Sequence, residues 1–128
     1  MAQGAAVPFS TVSAASGDVS YDAATNAFTL GSAGTYLFIW NVLASAAEVG
    51  NDIVFTLTNE AGTNLAFSGK KFETAGGGEL VSGSAAVTAA AGDTITLRNG
   101  SSQSVTLSDV VGPGANGFVS SMTVVRLS

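Results

Sequence analysis

The chain reads as short runs of alternating polar and apolar residues broken by Gly, Asn, Asp and Ser, with no stretch of useful helical periodicity. The clearest run is Gly34-Thr35-Tyr36-Leu37-Phe38-Ile39-Trp40-Asn41-Val42-Leu43. Its aromatic and β-branched content and its glycine opening predict a strand. Because strand side chains alternate, Tyr36, Phe38, Trp40 and Val42 share one face and Leu37, Ile39, Asn41 and Leu43 the other. Both faces are mostly apolar, whereas a sandwich sheet ordinarily buries one face and wets the other. A second cover is needed, and another copy of the chain is the natural one. The final run, Ser120 to Leu127, has the same property, with Met122 and Val124 set against Val125 and Leu127.

The same pattern predicts strands over Ala6 to Val12, Asp18 to Tyr21, Ala27 to Leu30, Asp52 to Thr58, Asn64 to Phe67, Glu79 to Ala90, Thr94 to Arg98 and Ser104 to Val111. Gly69 to Gly78, containing Lys70 and Lys71, reads as a loop, as does Gly112 to Gly117. Asn99-Gly100 reads as a hairpin turn able to take positive φ at both places. That makes about ten strands, the pattern of an all-β sandwich. The expected core is Phe28, Tyr36, Phe38, Trp40, Phe55, Leu57, Ile95 and Leu97. The expected subunit contacts are Leu37, Ile39, Leu43, Val125 and Leu127. Residues 1–5 are expected to be a flexible lead-in and 6–128 one domain.

Composition sharpens this picture. The chain has 128 residues, enough for one domain with a substantial core. It is 46% hydrophobic and only 10% charged, against about 25% charged in ordinary soluble domains. No apolar run reaches the ~18 residues of a membrane span, so the apolar excess belongs in a core and in subunit contacts. Net charge is −5 and the only cations are Lys70, Lys71, Arg98 and Arg126, too few and too scattered for a phosphate backbone or an anionic membrane surface.

The chain lacks both cysteine and histidine. It therefore has no disulfide, no thiolate metal site and no imidazole base. No Gly-x-Ser-x-Gly elbow is present. Glu73 and Glu79 could be drawn as a carboxylate pair, but both flank the glycine-rich Gly76-Gly77-Gly78 and read better as solvated charge. Asp93 is the one candidate calcium ligand. Its neighbours supply no cluster of oxygen ligands, and a carboxylate capping its own turn is the plainer reading. No catalytic residue and no cofactor is expected. Asn99-Gly100-Ser101 is formally a glycosylation sequon.

Several segments resemble a known family. Gly17-Asp18-Val19-Ser20-Tyr21-Asp22, then Thr25-Asn26-Ala27-Phe28-Thr29-Leu30, then Gly34-Thr35-Tyr36-Leu37-Phe38 resemble the globular heads of complement-type proteins. Ala91-Gly92-Asp93-Thr94-Ile95-Thr96-Leu97 resembles a later strand of that family. The ending Met122-Thr123-Val124-Val125-Arg126-Leu127-Ser128 resembles the closing strand of the BclA-type carboxy-terminal domains of bacterial collagen-like exosporium proteins. The resemblance implies a ten-stranded jelly roll of the tumour-necrosis-factor superfamily, forming a homotrimer at the end of a collagen-like stalk on a cell or spore surface. A receptor- or glycan-binding knob, such as a phage tail tip or adhesin head, is the alternative on the same fold. The phenylalanine-containing closing strand of the complement heads is missing, so their ligand specificity is not implied.

Overall fold

A computed structural model describes residues 1–14, 17–73, 77–107 and 120–128. Its ten strands are β1 (Thr11–Ala14), β2 (Val19–Asp22), β3 (Ala27–Leu30), β4 (Gly34–Ala46), β5 (Asp52–Asn59), β6 (Asn64–Lys71), β7 (Glu79–Ala89), β8 (Asp93–Asn99), β9 (Val105–Leu107) and β10 (Ser120–Arg126). They form two five-stranded sheets. The first has the order β1-β10-β4-β7, with β9 also paired to β4, and the second has the order β2-β3-β8-β5-β6. The chain passes back and forth between the sheets. All pairings are antiparallel except that of β1 with β10.

The alternating pattern decides what lies between the sheets. Tyr36, Phe38, Trp40 and Val42 from β4 and Met122 and Val124 from β10 meet Phe28, Ile53, Phe55, Leu57, Ile95 and Leu97 from the second sheet, all at most 1% exposed. Each such side chain contributes about 1.5–3 kcal/mol on burial. Phe28 stands edge-on to Phe38 with ring centroids 6.2 Å apart, which ties the sheets through aromatic contact. Trp40 crosses the gap and donates its indole N–H to Ser68 Oγ of β6 at 2.8 Å. Gly83, opposite Trp40 on β7, lies under the indole, where a Cβ would collide with the ring.

Four local expectations are corrected. Residues 1–5 are tied down: Met1 donates its ammonium to Val105 O at 2.7 Å, Gly4 N–H bonds to Asn99 O, and Asn99 N–H bonds to Ala5 O. With the Ala6–Arg98 bridge and Val7 N–H on Leu97 O, this segment occupies the edge of β8 beyond the end of β3. The first strand accordingly begins at Thr11, after Pro8, which lacks the N–H a ladder needs. Lys70 and Lys71 belong to β6 rather than a loop, each facing a carboxylate. Asn99 closes β8 instead of opening a hairpin. Among the described residues the positive φ angles fall at Asn26 and at Gly4, Gly50, Gly62 and Gly92. The expected strand over Ser104 to Val111 is seen as β9, and its last residues, like the loop Gly112 to Gly117, lie outside the described residues.

Candidate functional site

With one side of each sheet committed to the core, the outer sides remain, and on the first sheet the register writes out that surface row by row. Leu37 lies between Val125 on β10 and Ala86 on β7. Ile39 lies between Thr123 and Ser84, and Asn41 between Ser121 and Ser82. Ser13 and Thr11 of β1 extend the last two rows. Thr35 faces Thr88, and Leu127 follows on by donating its N–H to Thr35 O. No charged residue stands in these rows. Ile39 is 37% exposed, Leu127 is 55% exposed, and Leu37 and Val125 are half-buried.

The surface is graded along the strands. Leu127, Val125, Leu37 and Ala86 make its Gly34 end apolar, hydroxyls and one amide fill the middle, and Leu80 of β7, 52% exposed, follows at the other end. In the middle Ser82 Oγ donates to Asn41 Oδ1 at 2.6 Å. Neutral hydroxyls and small apolar groups cost little to dehydrate compared with charges, so the whole face is chemically ready to be covered. Leu43 departs from this set. It is 1% exposed within one subunit and sits where β10 ends beside Val42 and β9 takes over at Ala44. It has no surface left for a partner and does not belong to the contact set.

Among the described residues, three of the four cations stand in ion pairs near strand ends. Arg126 closes β10 by binding Asp18 at 2.7 Å, Ala33 O at 2.9 Å and Ser128 O at 3.1 Å, with its guanidinium 6.0 Å from the Tyr36 ring centroid. Lys71 faces Asp52 at 3.5 Å, and Lys70 faces Glu79 at 3.6 Å. Glu79 also accepts the Glu73 N–H at 3.1 Å, so the two glutamates are joined through backbone and not as a carboxylate pair.

The remaining chemical candidates are occupied by structural duties. Asp93 Oδ2 accepts the Ala90 N–H at 2.8 Å and so caps its own turn. No group of three or more acidic side chains able to hold a metal lies among the described residues. Asn99, the sequon residue, is 1% exposed. Its Nδ2 donates to Met1 O and Gln103 O, and its Oδ1 accepts the Ser101 N–H. The amide is thus spent on holding the N-terminal segment. The buried hydroxyls of Ser101 and Ser120 likewise bond backbone groups, at Val54 and Pro8.

The sequence reading passed over one surface feature. Phe67, at the predicted end of β6, is 77% exposed on the outer side of the second sheet, with Leu65 38% exposed beside it. The signal was available, because Ala66 and Ser68 are the small residues of the opposite parity and the ones turned toward β7 and Trp40.

No protein-family model and no curated protein matches the chain. Solved structures do. The Eiger TNF of S. frugiperda superimposes with a TM-score of 0.62 at 14% identity, over 86% of this chain and 69% of that one. Murine APRIL gives 0.57 at 16% identity, over 88% and 79%. The globular domain of the zebrafish complement 1qA protein gives 0.50 at 17% identity, over 81% and 68%. At such identities the likeness establishes the fold: a jelly roll of the tumour-necrosis-factor and complement-head kind.

Proposed function

We propose that the chain is a non-enzymatic trimerising head that nucleates and aligns the three chains of a bacterial collagen-like protein on a cell or spore surface, of the BclA-type exosporium kind. One observation carries the assembly part: the outer side of the β1-β10-β4-β7 sheet presents Leu37, Ile39, Val125 and Leu127 among uncharged small residues. Three copies closing on this face would bury it around a common axis. Closure raises the local concentration of whatever is joined to the heads, which offsets the entropic cost of registering three collagen strands. Met1 lies at Val105, beside the end of β4, and Ser128 lies against Gly34 at its start. A stalk joined ahead of Met1 would leave from the first of these ends.

The bacterial and stalk parts rest on the resemblance of the closing strand Met122 to Ser128. Reading the native gene upstream of Met1 tests them, since a Gly-X-Y tract there supports the stalk and its absence removes it. Light scattering coupled to size exclusion tests the assembly. The expected result is three times the chain mass at micromolar concentration, and a monomer would overturn it. The second reading, a glycan- or receptor-binding knob, is favoured by the exposed Phe67 on the other sheet.

A further inference from the structure

The outer side of the second sheet carries a row of side chains that neither the core nor the assembly face uses. Phe67, Thr56 and Arg98 stand opposite one another on β6, β5 and β8 and so project from the same side. Phe67 and Arg98 are two strand spacings apart, roughly 10 Å. In the adjoining row Val54 lies between Gly69 and Gly100. Two shallow depressions lie on this side and meet at Thr56 and Asn64. One, of about 530 Å³, is walled by Val54, Leu65 and Phe67. The other, of about 300 Å³, is walled by Gln3, Thr58, Arg98 and the backbone of Gly100.

We propose that this surface binds a carboxylated saccharide, Phe67 stacking on the C–H face of a pyranose ring while Arg98 takes its carboxylate. Three features select that chemistry. A ring 77% exposed contributes little to folding and offers a flat apolar platform. The groups around it are amides and a hydroxyl, namely Asn64, Gln3 and Thr56, which can both donate to and accept from sugar hydroxyls. Among the described residues, Lys70, Lys71 and Arg126 each face a carboxylate within ion-pair distance, and Arg98 does not. Its Nη1 donates to Gly4 O at 3.0 Å, which orients the planar group while its other N–H donors remain for a forked contact. The site is shallow, unlike the enclosed apolar pockets that hold lipophilic ligands. A single cation on a chain of net charge −5 does not suit a polyanionic nucleic acid. The surface lies on the opposite side of the sandwich from the assembly face, so binding and assembly do not compete.

The test is a ¹⁵N-correlation titration of the full chain with methyl β-D-glucuronide and, in parallel, methyl β-D-glucoside. Expected are shifts confined to β5, β6 and the end of β8, with the acidic sugar bound about tenfold more tightly, as one charge-assisted hydrogen-bonded pair implies. Phe67→Ala should weaken both sugars by about tenfold. Arg98→Gln should weaken only the glucuronide and erase the preference. Arg98→Lys, which keeps the charge and loses the fork, should keep the spectrum folded and lose most of the preference. Absence of shifts at the highest soluble sugar concentration, shifts centred elsewhere, or unchanged binding by Phe67→Ala would overturn the proposal. So would a change in solution mass caused by Phe67→Ala, because Phe67 would then be a contact between copies of the chain.

Discussion

The two outer faces of the sandwich are built on the same strand grammar and finished differently. On the first sheet, the rows through Leu37, Ile39 and Asn41 hold only apolar, hydroxyl and amide groups. On the second, the row through Thr56 ends in an exposed aromatic ring on one side and a guanidinium on the other. An uncharged, even face with half-buried leucine and valine suits permanent burial against its own copies. A face with one protruding ring, one cation and two shallow hollows suits a small ligand. In a chain so short of charge, where the few charges stand is what separates the two roles.

The largest effect expected from this contrast comes from neighbouring positions on β4. Trp40→Asp puts an unpaired carboxylate between the sheets and removes the indole bond to Ser68, at a cost of several kcal/mol. The chain should not fold, and circular dichroism should lose its β signal. Ile39→Asp places the same charge on the outer side, 37% exposed before assembly. It should leave a folded β protein whose mass by light scattering falls from trimer to monomer. A folded Trp40→Asp and an unfolded Ile39→Asp would mean that the faces are reversed.

A smaller and more local effect is expected at the N-terminal segment. Asn99→Ala removes three side-chain hydrogen bonds and strands the buried groups that they served. Each such group left unpaired costs about 1–3 kcal/mol. Relaxation of the segment should hold the total to about 2–4 kcal/mol and the melting shift to roughly 10 °C. Because the segment borders the second sheet at Arg98, the variant should keep its trimer mass. Loss of the trimer with an unchanged melting point would place the segment in the assembly face.

Much of this was legible because strand period and burial speak the same language. The eight expected core residues, Phe28, Tyr36, Phe38, Trp40, Phe55, Leu57, Ile95 and Leu97, are all at most 1% exposed, and β3 runs over the residues expected. What escaped depends on partners that the local sequence does not carry. The segment 1–7 pairs because β3 starts only at Ala27, opposite the first half of β8, leaving an edge that residues nearly a hundred positions away can fill. Leu43 is buried because β4 changes neighbours there, and a period-two reading knows only that it alternates with Val42. Asn99-Gly100 has the composition of a tight turn, yet the demand for an amide between Met1 and Gln103 placed Asn99 at a strand end. The outer-sheet row was hidden for a similar reason, since Phe67 and Arg98 become neighbours only through β5.

The smallest expected effect is the one that separates the faces most directly. Phe67→Ser removes the largest exposed apolar group of the second sheet. If that group served folding, its loss would cost on the scale of a buried aromatic, about 3–5 kcal/mol. Its ring lies outside the core cluster, and its strand is held by backbone pairing with β5 that the substitution does not touch. Surface substitutions of this kind usually stay within about 0.5 kcal/mol. Serine also keeps the position polar and uncharged, so no new repulsion is introduced beside Arg98. The melting temperature and the trimer mass should therefore both match the parent chain, measured by differential scanning calorimetry and light scattering on one sample. A fall of several degrees would return Phe67 to the structural residues, and a fall in mass would show that the subunits meet on the second sheet and that the two faces have been assigned the wrong way round.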